Sequence, residues 1–135
     1  MNYQAADDII TEYDEFDWIL GGHSLGGAMA ARYVRENQAK IKALFLLASY
    51  PGENDDLSEF EGEVLSITAA LDGVIDKNKL EERKKLLPEQ TRFVEIAGGN
   101  HSQFGAYGLQ RGDKTAEITL KEQLEITVEE IVEGI

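Results

Sequence analysis

The sequence contains no cysteine. That excludes disulfides, thiol nucleophiles and thiolate metal sites together, and leaves the redox state of the compartment open. Histidine is nearly as scarce. His23 and His101 are the only two, too few for a multi-histidine metal centre, so neither a metal nor a cofactor is expected. No apolar run approaches the roughly 20 residues that span a bilayer. The start, MNYQAADDIITEYDEF, is acidic and polar, unlike a secretory signal. The default expectation is a cytoplasmic chain, or one whose N-terminal address has been lost. Basic residues are also few: 13 Lys and Arg stand against 26 Asp and Glu, a net charge of −13. Nucleic acid and anionic membranes repel such a chain, and neither is an expected partner.

What remains is a chain of 135 residues, 42% of them hydrophobic, enough for a single domain over 1–135 with its own core. Ala6, Ile9, Ile10 and Tyr13 recur at helical spacing and predict a helix over 3–14. Residues 17–22 read as a short buried strand. Residues 26–37 return to helix, with Met29, Ala30, Tyr33 and Val34 inward. The run at 43–49 is apolar on both faces, as a central parallel strand requires. An acidic loop over 50–62, with at most one helical turn, leads to a third strand at 63–70. Asp76 can cap a helix over 77–87. A fourth strand follows at 91–97, its mixed polarity that of an edge, then a glycine-rich loop over 98–116. Thr119 and Glu122 fit a capping box before a last helix with Leu120, Leu124, Val128, Ile131 and Ile135 on one stripe. This alternation predicts an α/β fold: a four-stranded parallel sheet in sequential order, with helical crossovers.

Gly22-His23-Ser24-Leu25-Gly26 matches G-x-S-x-G between a strand and a helix, the setting of a nucleophile elbow. A serine there sits in a strained turn with positive φ, and side chains at 22 or 26 are expected to collide with that turn. A serine needs a base. His101 follows the fourth strand, at the same carboxyl edge of the sheet as Ser24, where open α/β folds place their sites. His23, beside the nucleophile, is expected to point away into supporting structure. The base needs an acid to hold its tautomer. Asp72 follows the third strand at that same edge, and Asp76 is the runner-up, although helix capping already explains it. The catalytic candidates are therefore Ser24, Asp72 and His101, with His101 expected within hydrogen-bond reach of Ser24, and Asp72 within reach of His101. Arg111-Gly112-Asp113 spells a cell-adhesion tripeptide, here a coincidence, and the acidic stretch 53–61 is a solvated loop without calcium-site spacing.

Three segments carry a resemblance to a known family: Gly21-Gly22-His23-Ser24-Leu25-Gly26-Gly27-Ala28, Leu71-Asp72-Gly73-Val74 and Gly98-Gly99-Asn100-His101-Ser102-Gln103-Phe104-Gly105. Tyr107-Gly108 and Gln110-Arg111-Gly112-Asp113 extend the last. The chain resembles the α/β-hydrolase superfamily, within it the dienelactone-hydrolase-like carboxylesterases. The resemblance implies Ser24 as nucleophile, Asp72 as acid, His101 as base and the Leu25 N–H as one oxyanion donor. It also implies a truncated α/β-hydrolase fold, because family members carry several strands, and the loop giving a second oxyanion N–H, ahead of the nucleophile strand. One lost donor typically costs about 10²–10³ in rate.

Two functions compete on these residues. The first is a serine hydrolase acting on a small ester-like substrate; nothing in the sequence separates esterase, lipase and peptidase variants. The second is a catalytically weak or inactive half-hydrolase that serves as an assembly or partner-binding module. In either case the strand at 17–22 would be an exposed apolar sheet edge. A homodimer pairing these strands about a two-fold axis is expected, giving one antiparallel contact and an eight-stranded sheet.

Overall fold

The structure is a computed structural model and describes residues 2 and 4–135. Four strands, β1 (Trp18–His23), β2 (Ile41–Leu47), β3 (Glu63–Ala69) and β4 (Arg92–Ile96), form one sheet in the order β1-β2-β3-β4. Every neighbouring pair is parallel, as the alternation of elements predicts. Among the described residues four α-helices accompany them: α1 (Asp7–Glu12), α2 (Leu25–Glu36), α3 (Lys77–Arg83) and α4 (Leu120–Gly134).

The sheet separates two apolar layers. On one face Ile10 of α1 and Ala30, Ala31, Tyr33 and Val34 of α2 meet Leu44, Leu46 and Val64 of the sheet. On the other, Leu65, Ile67, Ala69 and Ile96 pack with Phe104 and with Ile126 and Ile131 of α4. Leu44, Leu46, Leu65 and Ile67 have no measurable exposure, and each such side chain contributes about 1.5–3 kcal/mol of transfer free energy.

Several expectations need correction. The first helix is shorter than 3–14: it runs over Asp7–Glu12, Ile10 alone is buried within it, and Tyr3 lies outside the described residues. The β2–β3 connection contains no helix among the described residues. Instead Leu57 and Phe60 fold back as buried plugs, so turns do the work of a crossover helix. The helix expected over 77–87 becomes α3 and a 3₁₀ turn, Lys84–Leu86. In α4 the stripe is not uniformly inward. Leu120 and Val128 are exposed, Leu124 is half-buried, and the polar Gln123 and Thr127 take the buried positions. The capping box does form, with Thr119 Oγ1 accepting from the Glu122 N–H at 3.2 Å and Glu122 Oε2 accepting from the Thr119 N–H at 2.7 Å.

Candidate active site

Ser24 joins β1 to α2 with φ 54° and ψ −124°, a left-handed conformation that a residue with a side chain adopts only when its surroundings impose it. The surroundings are visible. The Ser24 N–H donates to Leu47 O at 2.9 Å. Its carbonyl accepts from Ser49 Oγ at 2.6 Å, and also from the Gly27 and Ala28 N–H groups at 3.0 and 3.3 Å. The turn needs glycine at two places. A Cβ at Gly22 would lie 2.4 Å from the Gly26 carbonyl carbon, and one at Gly27 would lie 2.6 Å from Ser49 Cβ and 2.7 Å from Gly22 O. Position 26 departs from the expectation: a Cβ there would meet open space. The second obligatory glycine is Gly27, one residue later, because α2 already begins at Leu25 and turns position 26 outward. The Ser24 hydroxyl makes no capping bond to its helix, and the Leu25 N–H, the first of α2, has no intrahelical acceptor.

Asp72 and His101 meet in the interior. Their residues are 2% and 1% exposed, and His101 Nδ1 lies 2.7 Å from Asp72 Oδ2. The other carboxylate oxygen accepts from the Val74 and Ile75 N–H groups, both at 2.8 Å, which fixes the plane of the Asp72 carboxylate. With Oδ2 an acceptor, Nδ1 carries the proton and Nε2 presents its lone pair. Nε2 is buried and has no hydrogen-bond partner. Asp76 is occupied elsewhere: it caps α3, accepting from the Asn78 and Lys79 N–H groups at 3.0 Å each.

Ser24 and His101 line one cleft of about 300 Å³ with Leu25, Ala28, Tyr50 and Val74. The expected direct contact between them is not made, since the Ser24 hydroxyl does not bond to Nε2. The two residues border a shared space, and no hydrogen bond joins Ser24 to His101 Nε2.

His23 also departs from its expectation. Its ring does not leave the site but packs against His101 at a tilt of 51°, with centroids 4.5 Å apart, and lies 5.9 Å from Phe104 and 5.8 Å from Tyr107. Burial, then the neighbouring His101, pull the His23 imidazole below its ordinary pKa, against the opposing pull of Asp72 and Asp113. The His23 ring, which resists protonation there, packs against His101.

Sequence reasoning missed Gln123. This side chain is fully buried and rises from α4 to hold the loop that bears His101. Its Oε1 accepts from the Asn100 N–H at 3.0 Å and from Gln103 Nε2 at 2.8 Å, and its Nε2 donates to Asn100 O at 2.8 Å. A glutamine at an inward helical position was the available signal. The surrounding leucines and valines masked it.

The chain matches the alpha/beta hydrolase family over residues 1–125. No curated protein matches it. Solved structures that it resembles include an alpha-beta serine hydrolase homologue from Coxiella burnetii, at 18% identity and TM-score 0.65, covering 91% of this chain and 53% of that one. A dienelactone hydrolase from Anabaena variabilis matches at 16% identity and TM-score 0.68, over 98% of this chain and 57% of that one. A dienelactone hydrolase-like promiscuous phosphotriesterase from metagenomic libraries matches at 18% identity and TM-score 0.67, over 98% and 59%. At these identities the likeness is one of fold. The chain spans little more than half the length of these three structures, so its four-stranded sheet corresponds to part of theirs.

Proposed function

Because the chain belongs to the alpha/beta hydrolase family, we propose that it is a serine hydrolase of the carboxylesterase type, with Ser24 as nucleophile, His101 as base and Asp72 as acid. One observation carries the reading: a serine hydroxyl on a strained elbow shares a cleft with a buried imidazole whose Nδ1 is tied to a carboxylate and whose Nε2 is unpartnered. In this reading Ser24 Oγ attacks the acyl carbonyl and its proton passes to His101 Nε2. The Asp72 carboxylate stabilises the imidazolium, and the Leu25 N–H donates to the developing oxyanion. His101 then protonates the departing alkoxide, and water repeats the sequence to free the acid. The reaction needs no cofactor. Hydrolysis of p-nitrophenyl acetate tests it. Turnover above buffer is expected, falling at least about 10³-fold in Ser24→Ala and in His101→Ala. Equal rates in wild type and Ser24→Ala would overturn it.

A second reading, an assembly module, has one observation of its own. β1 is an edge strand in which Ile19 is 50% exposed, with Phe16, just ahead of it, 57% exposed, and its outer N–H and C=O groups offer a template for another strand. We propose that a second copy pairs there, antiparallel, about a two-fold axis. Sedimentation at micromolar concentration should show a dimer that Ile19→Lys dissociates. A wild-type monomer would overturn it.

A further inference from the structure

The Arg111-Gly112-Asp113 segment does not present its acid to solvent as an adhesion loop would. The Asp113 side chain turns inward, between the loop that follows β3 and the loop that follows β4. We propose that Asp113 is a positioning residue whose carboxylate latches the Asp72 loop to the His101 loop and so sets the Asp72–His101 contact. The proposal rests on the reading of Asp72 and His101 as acid and base.

The contacts fall on both loops. Oδ1 accepts from the Gly73 N–H at 3.0 Å, immediately after Asp72, and from the His101 N–H at 3.4 Å. Oδ2 accepts from the Ser102 N–H at 2.8 Å and from Ser102 Oγ at 2.6 Å. The neighbouring Lys114 N–H adds a fifth donor to Oδ1 at 2.9 Å. One side chain thereby spans 40 residues of sequence to Gly73 and 12 to His101. Only an acceptor on both oxygens satisfies this set, which is the charged carboxylate. Burial pulls the Asp113 carboxyl up, but the bonds from Gly73, Ser102 and Lys114 outweigh it and hold it below the ordinary carboxylate range.

The latch is itself held. Ser102 Oγ accepts from the Gln110 N–H at 2.8 Å while donating to Asp113, and the Asp113 N–H donates to Gln110 O at 3.0 Å. Asn100 Nδ2 donates to Lys114 O at 2.7 Å. The close approach depends on Gly73, where a Cβ would fall 2.5 Å from Gly112 O and 3.1 Å from Asp113 Cα. Asp72 and His101 thus sit on two loops that share one anion, and neither loop can shift without breaking a charge-assisted bond.

Asp113→Asn keeps the size and removes one acceptor oxygen, placing an amide N–H2 against an N–H donor. Two readouts on the full chain test the proposal. The first is the proton resonance of His101 Nδ1–H, shifted downfield by its short bond to Asp72, which needs no turnover. It should broaden or vanish in Asp113→Asn. The second is kcat for p-nitrophenyl acetate, expected to fall on the order of 10²-fold with KM changed less than about threefold, and to fall little further when Asp113→Asn is added to Asp72→Asn. An unchanged resonance in Asp113→Asn would overturn the latch. So would fully additive losses in the double variant, the mark of a merely structural role. Should wild type prove inert, the hydrolase reading fails and the resonance alone decides the latch. Should Asp113→Asn fail to fold, Ser102→Ala removes only the hydroxyl contact: a broadened resonance supports the latch, and an unaltered one overturns it.

Discussion

The site is built from two halves held to different standards. Asp72 and His101 are buried, and each carboxylate oxygen of Asp72 has a partner. The loop bearing His101 is pinned from α4 by Gln123 and crosswise by Asp113. The Ser24 half rests on an edge strand, with Leu25 53% exposed beside it. Its strained turn is held by the hydrogen bonds to Leu47 and Ser49 and by the room that two glycines leave, rather than by burial. The Asp72–His101 pair is positioned by groups of the chain itself, whereas the surroundings of Ser24 are open on the β1 side. The comparison yields tests of decreasing size.

The largest effect should come from Ser24→Gly. Glycine adopts positive φ without penalty, so the variant should lose at least about 10³-fold in ester hydrolysis while gaining about 1 kcal/mol in stability as the strain is relieved. Urea denaturation reads the second number. A destabilised Ser24→Gly would show that the elbow is not strained.

Next comes the opposite half. Gln123→Leu is nearly isosteric but strips three hydrogen bonds and leaves both Asn100 backbone groups buried without partners. It should cost about 2–4 kcal/mol and lower activity with it. A neutral Gln123→Leu would mean that water readily replaces the glutamine and that the His101 loop is not pinned from α4.

A paired comparison sharpens the account of the elbow. Gly27→Ala drives a methyl into Ser49 and the Gly22 carbonyl and should cost about 1–3 kcal/mol. Gly26→Ala projects into open space and should be neutral or stabilising by up to about 1 kcal/mol, through helix propensity. Melting temperatures of the two variants should move in opposite directions, and a reversal would restore Gly26 as the critical position.

The smallest effect concerns His23. Its pKa in the folded chain is lowered from 6.5, so below that pH the unfolded chain binds a proton that the folded chain resists. Stability should therefore fall as pH drops from 6.5 toward the folded-state value. His23→Gln should flatten that part of the denaturation profile. An unchanged slope would show that His23 titrates normally and that its packing against His101 plays no part.

Much of the fold is legible in the sequence, for physical reasons. A central parallel strand such as β2 must be apolar on both faces, and from Ala43 onward it is. The Thr119–Glu122 box announces the start of α4 on chemistry that needs nothing from the rest of the chain. Placing Ser24, Asp72 and His101 at one sheet edge follows from strand direction alone, because each residue succeeds the end of a parallel strand. What escapes is whatever depends on contacts distant in sequence. Asp113 meets Gly73 across two loops that have no periodicity to read. Gln123 sits inward because a loop backbone 23 residues away needs a donor and an acceptor, against the hydrophobic pattern of its own helix. His23 was expected to turn aside, but the buried ring of His101 offers it a better surface than solvent does.

The most direct test of the central claim is where a fluorophosphonate probe attaches. Mass spectrometry of the labelled, digested protein should find the phosphonyl group on Ser24 in wild type, and labelling should be lost in Ser24→Ala and strongly slowed in His101→Ala. A probe that leaves wild-type Ser24 unmodified, or that labels Ser24→Ala equally well, would contradict the account.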